Sequence, residues 1–140
     1  MTPMTCNLHY RAEGTHVLAD LSGVAPALLV DCSRIEALLR DAATATGATI
    51  LHSHFHAFGP GQGVTGVVLL AESHISIHTW PEQHFAAADI VMCGASRPEL
   101  ALAVMRAALA PSACDVRTVR RAAQRLAGAG VLSMDIEIGP

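Results

Sequence analysis

The chain has 140 residues, of which 51% are hydrophobic and 15% are charged, so it is long enough for one domain with a substantial core and too apolar to be disordered. Its formal net charge of −3 at pH 7 argues against the basic surface that binds nucleic acid or anionic lipid. A small cationic substrate suits this charge better.

The sequence shows no sign of a membrane span or a secretory signal. Its longest apolar run, residues 64–71, is far shorter than the ~20 residues that cross a bilayer. Residues 1–9 lack a basic segment followed by an apolar one. No C-x-x-C pair indicates a disulfide or zinc framework. We therefore expect a cytoplasmic protein with free thiols at Cys6, Cys32, Cys93 and Cys114.

Hydrophobic periodicity predicts strands and helices in turn along the chain. Apolar residues at every second position predict a first strand over residues 14–23, and a proline makes residues 24–30 a connection. Apolar residues at helical spacing follow, with Asp31 or Ser33 as the cap and Gly47 as the end of the helix.

Several strands are predicted in the middle of the chain. Residues 48–58 and 64–71 predict a hairpin with a glycine-rich turn, because the turn lacks the Lys-Ser/Thr pair of a phosphate-binding loop. Further strands are predicted at residues 73–80, 85–92 and 114–121, and a helix with an early proline at 97–110.

This order predicts an α+β fold, a two-layer sandwich in which helices pack on one face of a largely antiparallel sheet. We expect a single domain over residues 1–140. The tail, residues 122–140, has no secure assignment.

Three histidines at alternate positions, His52, His54 and His56, share one face of a predicted strand. Imidazoles that project the same way can share a metal ion. The alternative is a polar sheet face that lines a pocket or meets another subunit. No carboxylate partner is evident nearby, so we favour the polar face and predict no metal.

The densest group of reactive side chains lies between positions 72 and 93. In an extended strand, His74, Ser76 and His78 face one side and the isoleucines between them face the other. Ser73, His78 and Cys93 could supply a nucleophile, a base and an acid. Polar residues in strands and turns are usually structural, so these residues alone leave the function open.

Residues 71–82, Ala-Glu-Ser-His-Ile-Ser-Ile-His-Thr-Trp-Pro-Glu, closely resemble the signature of the small prokaryotic S-adenosylmethionine decarboxylases. The resemblance implies a proenzyme that cuts itself between Glu72 and Ser73 into chains 1–72 and 73–140. It implies that Ser73 becomes a pyruvoyl group, the cofactor of the enzyme. It also implies decarboxylation of S-adenosylmethionine for spermidine and other polyamine synthesis, by a homodimer or a larger assembly of cleaved protomers.

The resemblance implies a role for each reactive residue in self-cleavage. The Ser73 hydroxyl attacks the carbonyl of Glu72, and His78 accepts the α-proton in the later elimination. A hydroxyl stabilises the oxyanion of the first step. The family has a serine for this role, and Thr65 takes its place here within Gly-Val-Thr-Gly-Val, keeping the hydroxyl and adding a methyl.

For the mature enzyme, the resemblance implies that residue 73 forms a Schiff base with the substrate and that Cys93 returns a proton to the α-carbon. Phe58 matches a phenylalanine that stacks on adenine, and Glu82 would contact the ribose or the sulfonium. Residues 83–85 depart from the family's aromatic-glycine-aromatic trio. A related decarboxylase of arginine or ornithine is therefore one alternative, and an uncleaved, non-catalytic, histidine-rich metal-binding homologue is another.

Overall fold

A computed structural model describes residues 12–122. The strands are β1 (Gly14–Ser22), β2 (Ile50–Ala57), β3 (Val64–Leu70), β4 (Ser73–Trp80), β5 (Phe85–Cys93) and β6 (Ala113–Arg121), and the helices are α1 (Pro26–Leu29), α2 (Cys32–Ala45) and α3 (Pro98–Leu109). The six strands form one antiparallel sheet in the order β2-β3-β4-β5-β1-β6. None of the described helices is long and apolar enough to cross a membrane.

The predicted fold class is confirmed, because helices pack on one side of an antiparallel sheet. The prediction that residues 24–30 only connect two elements is wrong, since they contain the one-turn helix α1. Pro26 occupies the first position of α1, where its missing N–H costs little and its fixed φ favours the helix. Of the unassigned tail, all but Ala122 lies outside the described residues.

Helix α2 begins at the first of its two predicted caps, because the Asp31 carboxylate accepts a hydrogen bond from the Arg34 N–H. Its apolar stripe, which includes Ile35 and Leu39, is fully buried. Removing a side chain such as Leu39 from water stabilises the fold by about 2 kcal/mol. This burial holds α2 against β2 and β3.

The two faces of the sheet differ because side chains alternate along each strand. On the face that the helices cover, Ile75, Ile77 and Ile90 are fully buried. The opposite face carries the polar residues of the same strands, including His78 and Asp89, and no helix within residues 12–122 packs on it. We call this second side the open face. Its exposed apolar side chains include Leu18, Leu69 and Trp80.

A buried threonine fixes the end of β4. The Thr79 hydroxyl donates to the Leu29 carbonyl and accepts a hydrogen bond from the Val64 N–H, both at 2.8 Å. A Cβ at Gly63 would lie 2.1 Å from the Thr79 carbonyl oxygen, so only glycine fits there. The predicted glycine-rich turn therefore brings the start of β3 tightly against the end of β4.

Candidate active site

The predicted cleavage site is the peptide bond at the end of the turn between β3 and β4. The Glu72 carbonyl oxygen accepts a hydrogen bond from the Cys93 N–H at 3.2 Å. The Glu72 carboxylate accepts one from the Thr49 N–H at 2.8 Å. Ser73 has a φ of 155°, a value that residues with side chains rarely adopt. The carbonyl of this peptide is therefore polarised, and the backbone of the next residue is strained.

Cys93 lies beside this peptide because β5 pairs with β4. The register sets Ser73 opposite Met92, which brings the next residue, Cys93, alongside Glu72. On its other side, Cys93 pairs with Gly14 of β1. A Cβ at Gly14 would lie 2.8 Å from the Met92 carbonyl oxygen and 3.2 Å from the Cys93 sulfur, so the bare glycine leaves space both for the β5 backbone and for this free, partly buried thiol.

Two more predicted residues, Thr65 and His78, meet on the open face. They are register partners on β3 and β4, and Thr65 Oγ1 lies 2.9 Å from His78 Nδ1. The hydroxyl donates when Nδ1 is unprotonated, and the other tautomer reverses the bond. Because His78 is exposed, its Nε2 is available to a further partner.

The two predicted binding residues share a cavity with His78. The cavity, of about 270 Å³, is lined by Phe58, His78, Trp80 and Glu82 among others. The Phe58 side chain is 62% exposed, and such a ring on a cavity wall presents a flat face on which another planar ring can stack. The volume lies just below the usual range for ligand pockets, so a nucleoside needs a further wall to be enclosed.

The predicted site residues thus form two groups at opposite ends of β4. Ser73 and His78 belong to one extended strand, so their Cα atoms are roughly 16 Å apart. Side chains do not span such a distance, so one protomer cannot bring both residues to the same reacting atoms. The Ser73 end comprises Glu72, Ser73 and Cys93, and the His78 end comprises Phe58, Thr65, His78 and Glu82.

A third polar group, which was not predicted from the sequence, lies between the two ends. The Asp89 carboxylate accepts hydrogen bonds from Ser76 Oγ, from His16 Nε2 at 2.9 Å and from His74 Nε2 at 3.4 Å. His16 Nδ1 in turn lies 3.5 Å from a guanidinium nitrogen of Arg121. We call Asp89, Ser76, His16 and His74 the Asp89 cluster.

The pKa of Asp89 reflects these contacts. Partial burial acts to raise the pKa, but the hydrogen bonds from Ser76 and His16 and the adjacent His74 outweigh it and hold the pKa below its usual value. The carboxylate is therefore ionised at neutral pH, and each histidine must carry a proton on Nε2 to donate to it. The signal in the sequence was a single acid within the apolar run of β5, on the same face as Cys93.

A family model described as S-adenosylmethionine decarboxylase matches residues 15–122, which include both ends of β4 and the Asp89 cluster. The chain belongs to the S-adenosylmethionine decarboxylase family. The family that residues 71–82 predicted is therefore confirmed.

Relatives from bacteria and archaea carry the family's name. The S-adenosylmethionine decarboxylase proenzyme of Parasynechococcus marenigrum is 46% identical over 77% of this chain and 84% of its own. That of Methanococcus aeolicus is 43% identical over 77% of this chain and 92% of its own. The crystal structure of the adenosylmethionine decarboxylase from Aquifex aeolicus matches with a TM-score of 0.72 and 40% identity, covering 77% of this chain and 89% of that one. This family fold agrees with the predicted sandwich.

The three alternating histidines, His52, His54 and His56, lie on the edge strand β2 and pair with β3. Within residues 12–122, no three His, Cys, Asp or Glu side chains are grouped so that they could hold a metal ion. The His56 ring instead meets Phe58 edge to face, with centroids 4.9 Å apart. His56 therefore helps to orient a ring of the candidate binding cavity.

Proposed function

We propose that this protein is a self-processing, pyruvoyl-dependent decarboxylase that converts S-adenosylmethionine into CO2 and a decarboxylated aminopropyl donor for spermidine synthesis. One observation carries the proposal. The Glu72 carbonyl already accepts a hydrogen bond from the Cys93 N–H, and the hydroxyl-bearing Ser73 that follows it has a strained backbone. The name of the curated relatives, S-adenosylmethionine decarboxylase proenzyme, supports the same activity.

Self-cleavage would begin when the Ser73 hydroxyl attacks the Glu72 carbonyl carbon and the peptide C–N bond breaks, so that an ester replaces the amide. The Cys93 N–H would stabilise the oxyanion, and backbone strain at Ser73 would favour the change. A base would then remove the α-proton of residue 73, and the Glu72 carboxylate would leave. The dehydroalanine that results would take up water and release ammonia, which leaves a pyruvoyl group at the start of chain 73–140.

We assign the base and a further oxyanion donor to His78 and Thr65 of a second copy of the chain. Within one protomer His78 lies roughly 16 Å from Ser73, whereas a general base must reach hydrogen-bond distance. A two-fold axis perpendicular to β4 would place the His78 end of each copy over the Ser73 end of the other. Packing the two open faces together would also bury their exposed Leu18 and Trp80 side chains.

The residues around Ser73 fit a small electrophilic cofactor. A pyruvoyl group supplies a ketone that withdraws electrons from the substrate as CO2 leaves. Cys93 would hold the proton that returns to the α-carbon, and its sulfur has the necessary space because Gly14 has no side chain. Phe58 and Glu82 of the second copy would bind the adenine ring and the ribose or sulfonium, and the first copy would supply the missing wall of their cavity.

S-adenosylmethionine suits this site better than arginine or ornithine does. The exposed Phe58 ring lies on the cavity that His78 also lines, and stacking there favours a substrate with a flat base. An uncleaved metal-binding role gains no support from relatives that are named proenzymes. The free thiols of Cys32, Cys93 and Cys114 suit a reducing compartment, so we place the enzyme in the cytoplasm.

The intact mass of the purified protein under denaturing, reducing conditions tests the proposal. We expect two chains, one ending at Glu72 and the other starting with a blocked, ketone-bearing residue 73. Ser73→Ala is the control and should give one full-length mass. A wild-type chain that stays full length on incubation would overturn self-processing. Cleaved protein that releases CO2 from arginine or ornithine and not from S-adenosylmethionine would overturn the substrate assignment.

A further inference from the structure

Self-cleavage would create a new chain end inside the active site. Residue 73 would then be attached to the fold only through its peptide bond to His74. Chain ends become mobile unless other contacts hold them. His74 is the first residue of the new chain with an ordinary side chain, and its Nε2 donates to Asp89.

The Asp89 cluster connects the two strands that carry residue 73 and Cys93 with the neighbouring strand β1. Strand β4 starts at Ser73 and contributes His74 to the cluster. Strand β5 carries Asp89 and ends at Cys93. Strand β1 contributes His16, and its first residue is the glycine beside the Cys93 sulfur. A displacement of any one strand relative to the others would therefore break hydrogen bonds to Asp89.

We propose that Asp89 is a positioning residue for decarboxylation, whose hydrogen bonds to His74 and His16 hold residue 73 and Cys93 in register after the chain is cut. This inference rests on the proposed function. Return of a proton requires the donor to stay within hydrogen-bond reach of the accepting atom. A misplacement of about 1 Å can lower a rate by about 100-fold, so the register of β4 and β5 has a direct effect on turnover.

The cluster requires a carboxylate at position 89. Three donors converge on it, from Ser76, His16 and His74. The Asp89 side chain is only 22% exposed, so water can replace a lost partner only in part. An amide has a single acceptor oxygen, and its NH2 group would face a donor. The lowered pKa of Asp89 agrees with a carboxylate that these partners keep charged.

The test is Asp89→Asn in the full chain, with self-cleavage and CO2 release measured separately and kinetics expressed per cleaved protomer. We expect kcat to fall by between about 10-fold and 100-fold while KM changes by less than about 3-fold, since orientation is lost and binding is kept. Asp89→Glu keeps both carboxylate oxygens and should recover part of the loss. Asp41→Asn is the matched control, because it makes the same chemical change on the exposed side of α2 and should keep the wild-type kcat.

An unchanged kcat per cleaved protomer in Asp89→Asn would overturn the inference. If that variant does not fold or does not cleave, His16→Asn decides, because the shorter asparagine side chain does not reach the position of Nε2, so one donor is lost while the carboxylate stays in place. A kcat lowered by about 3-fold or more in His16→Asn supports a positioning role, and an unchanged kcat rejects it. A wild-type protein that stays uncleaved or releases no CO2 rejects the proposed function itself, so the two failures are distinguishable.

Discussion

The two ends of strand β4 are built in different ways. At the Ser73 end, backbone N–H groups of Cys93 and Thr49 hold Glu72, and the backbone is irregular. At the His78 end the strand is regular, and the reactive groups are side chains around an open cavity. The first end is suited to breaking one peptide bond of its own chain, and the second is suited to offering groups to a neighbouring molecule.

The strand between the two ends keeps them apart. Ile75 and Ile77 are fully buried beneath the helices, so β4 is held extended as a rigid spacer of roughly 16 Å. We therefore propose that each end is half of a site. In the proposed dimer, the same spacing in both copies lets each end complete the other.

The largest expected effect comes from inactivating the two ends of β4 in different copies of the chain. Ser73→Ala and His78→Ala should each abolish activity when expressed alone. Co-expressed, they should recover about a quarter of the wild-type activity, because at random association half of the dimers are mixed and each mixed dimer has one intact site. CO2 release from S-adenosylmethionine by the co-purified mixture measures this recovery.

The same co-expression can also show that the two ends do not complete each other across a dimer. If co-expression restores nothing, while tagged copies of the two variants co-purify, then His78 acts within its own chain or not at all. Activity of His78→Ala alone would likewise show that the His78 end is dispensable for cleavage.

A smaller loss of activity is expected when the Ser73 end can still cleave the chain but lacks the proposed proton donor, Cys93. Cys93→Ala retains the backbone N–H that binds the Glu72 carbonyl, so the chain should still cleave. Decarboxylation should fall by about 10²- to 10⁴-fold, the usual contribution of a proton donor. Intact mass and CO2 release measure the two steps. Cys114→Ala on β6 is the control, and an equal loss there would show that Cys93 has no specific role.

Substitutions at the His78 end should change substrate binding more than the catalytic rate. Phe58→Ala removes a stacking surface, which should raise the KM for S-adenosylmethionine by roughly 5- to 150-fold with a smaller change in kcat. Phe58→Tyr keeps the ring and should stay near wild type. Leu51→Ala is the control, because Leu51 lies on β2, which ends just before Phe58, and is similarly exposed. An unchanged KM in Phe58→Ala would contradict the proposed stacking of adenine on this ring.

The smallest expected effect concerns the acid stability of the Asp89 cluster between the two ends. The folded-state pKa of Asp89 lies below the unfolded value of about 3.9, so its stabilising contribution is present above that pH and is lost as the pH falls through the folded pKa. Urea unfolding at pH 7 and at about pH 3 should therefore show a larger loss for wild type than for Asp89→Asn. Equal losses would contradict the lowered pKa.

Local periodicity made much of the fold predictable. The isoleucines at every second position of residues 73–80 specify a strand with one buried face, and Asp31 in front of a helical pattern specifies a helix start. The short helix α1 was missed because a single turn has no period to detect. The contact between His16 and Asp89 was missed because the two residues are 73 positions apart, and nothing local indicates that β1 lies next to β5.

By itself, the sequence predicted which residues would carry the chemistry and, once residues 73–80 form a strand, determined how far apart Ser73 and His78 must be. Only the tertiary structure decided that the Cys93 N–H meets the Glu72 carbonyl and that Gly14 leaves room for the thiol. The physical reason is register. A shift of one residue between strands would turn every side chain to the other face, and only the packing of the whole core against the helices selects the register that brings these groups together.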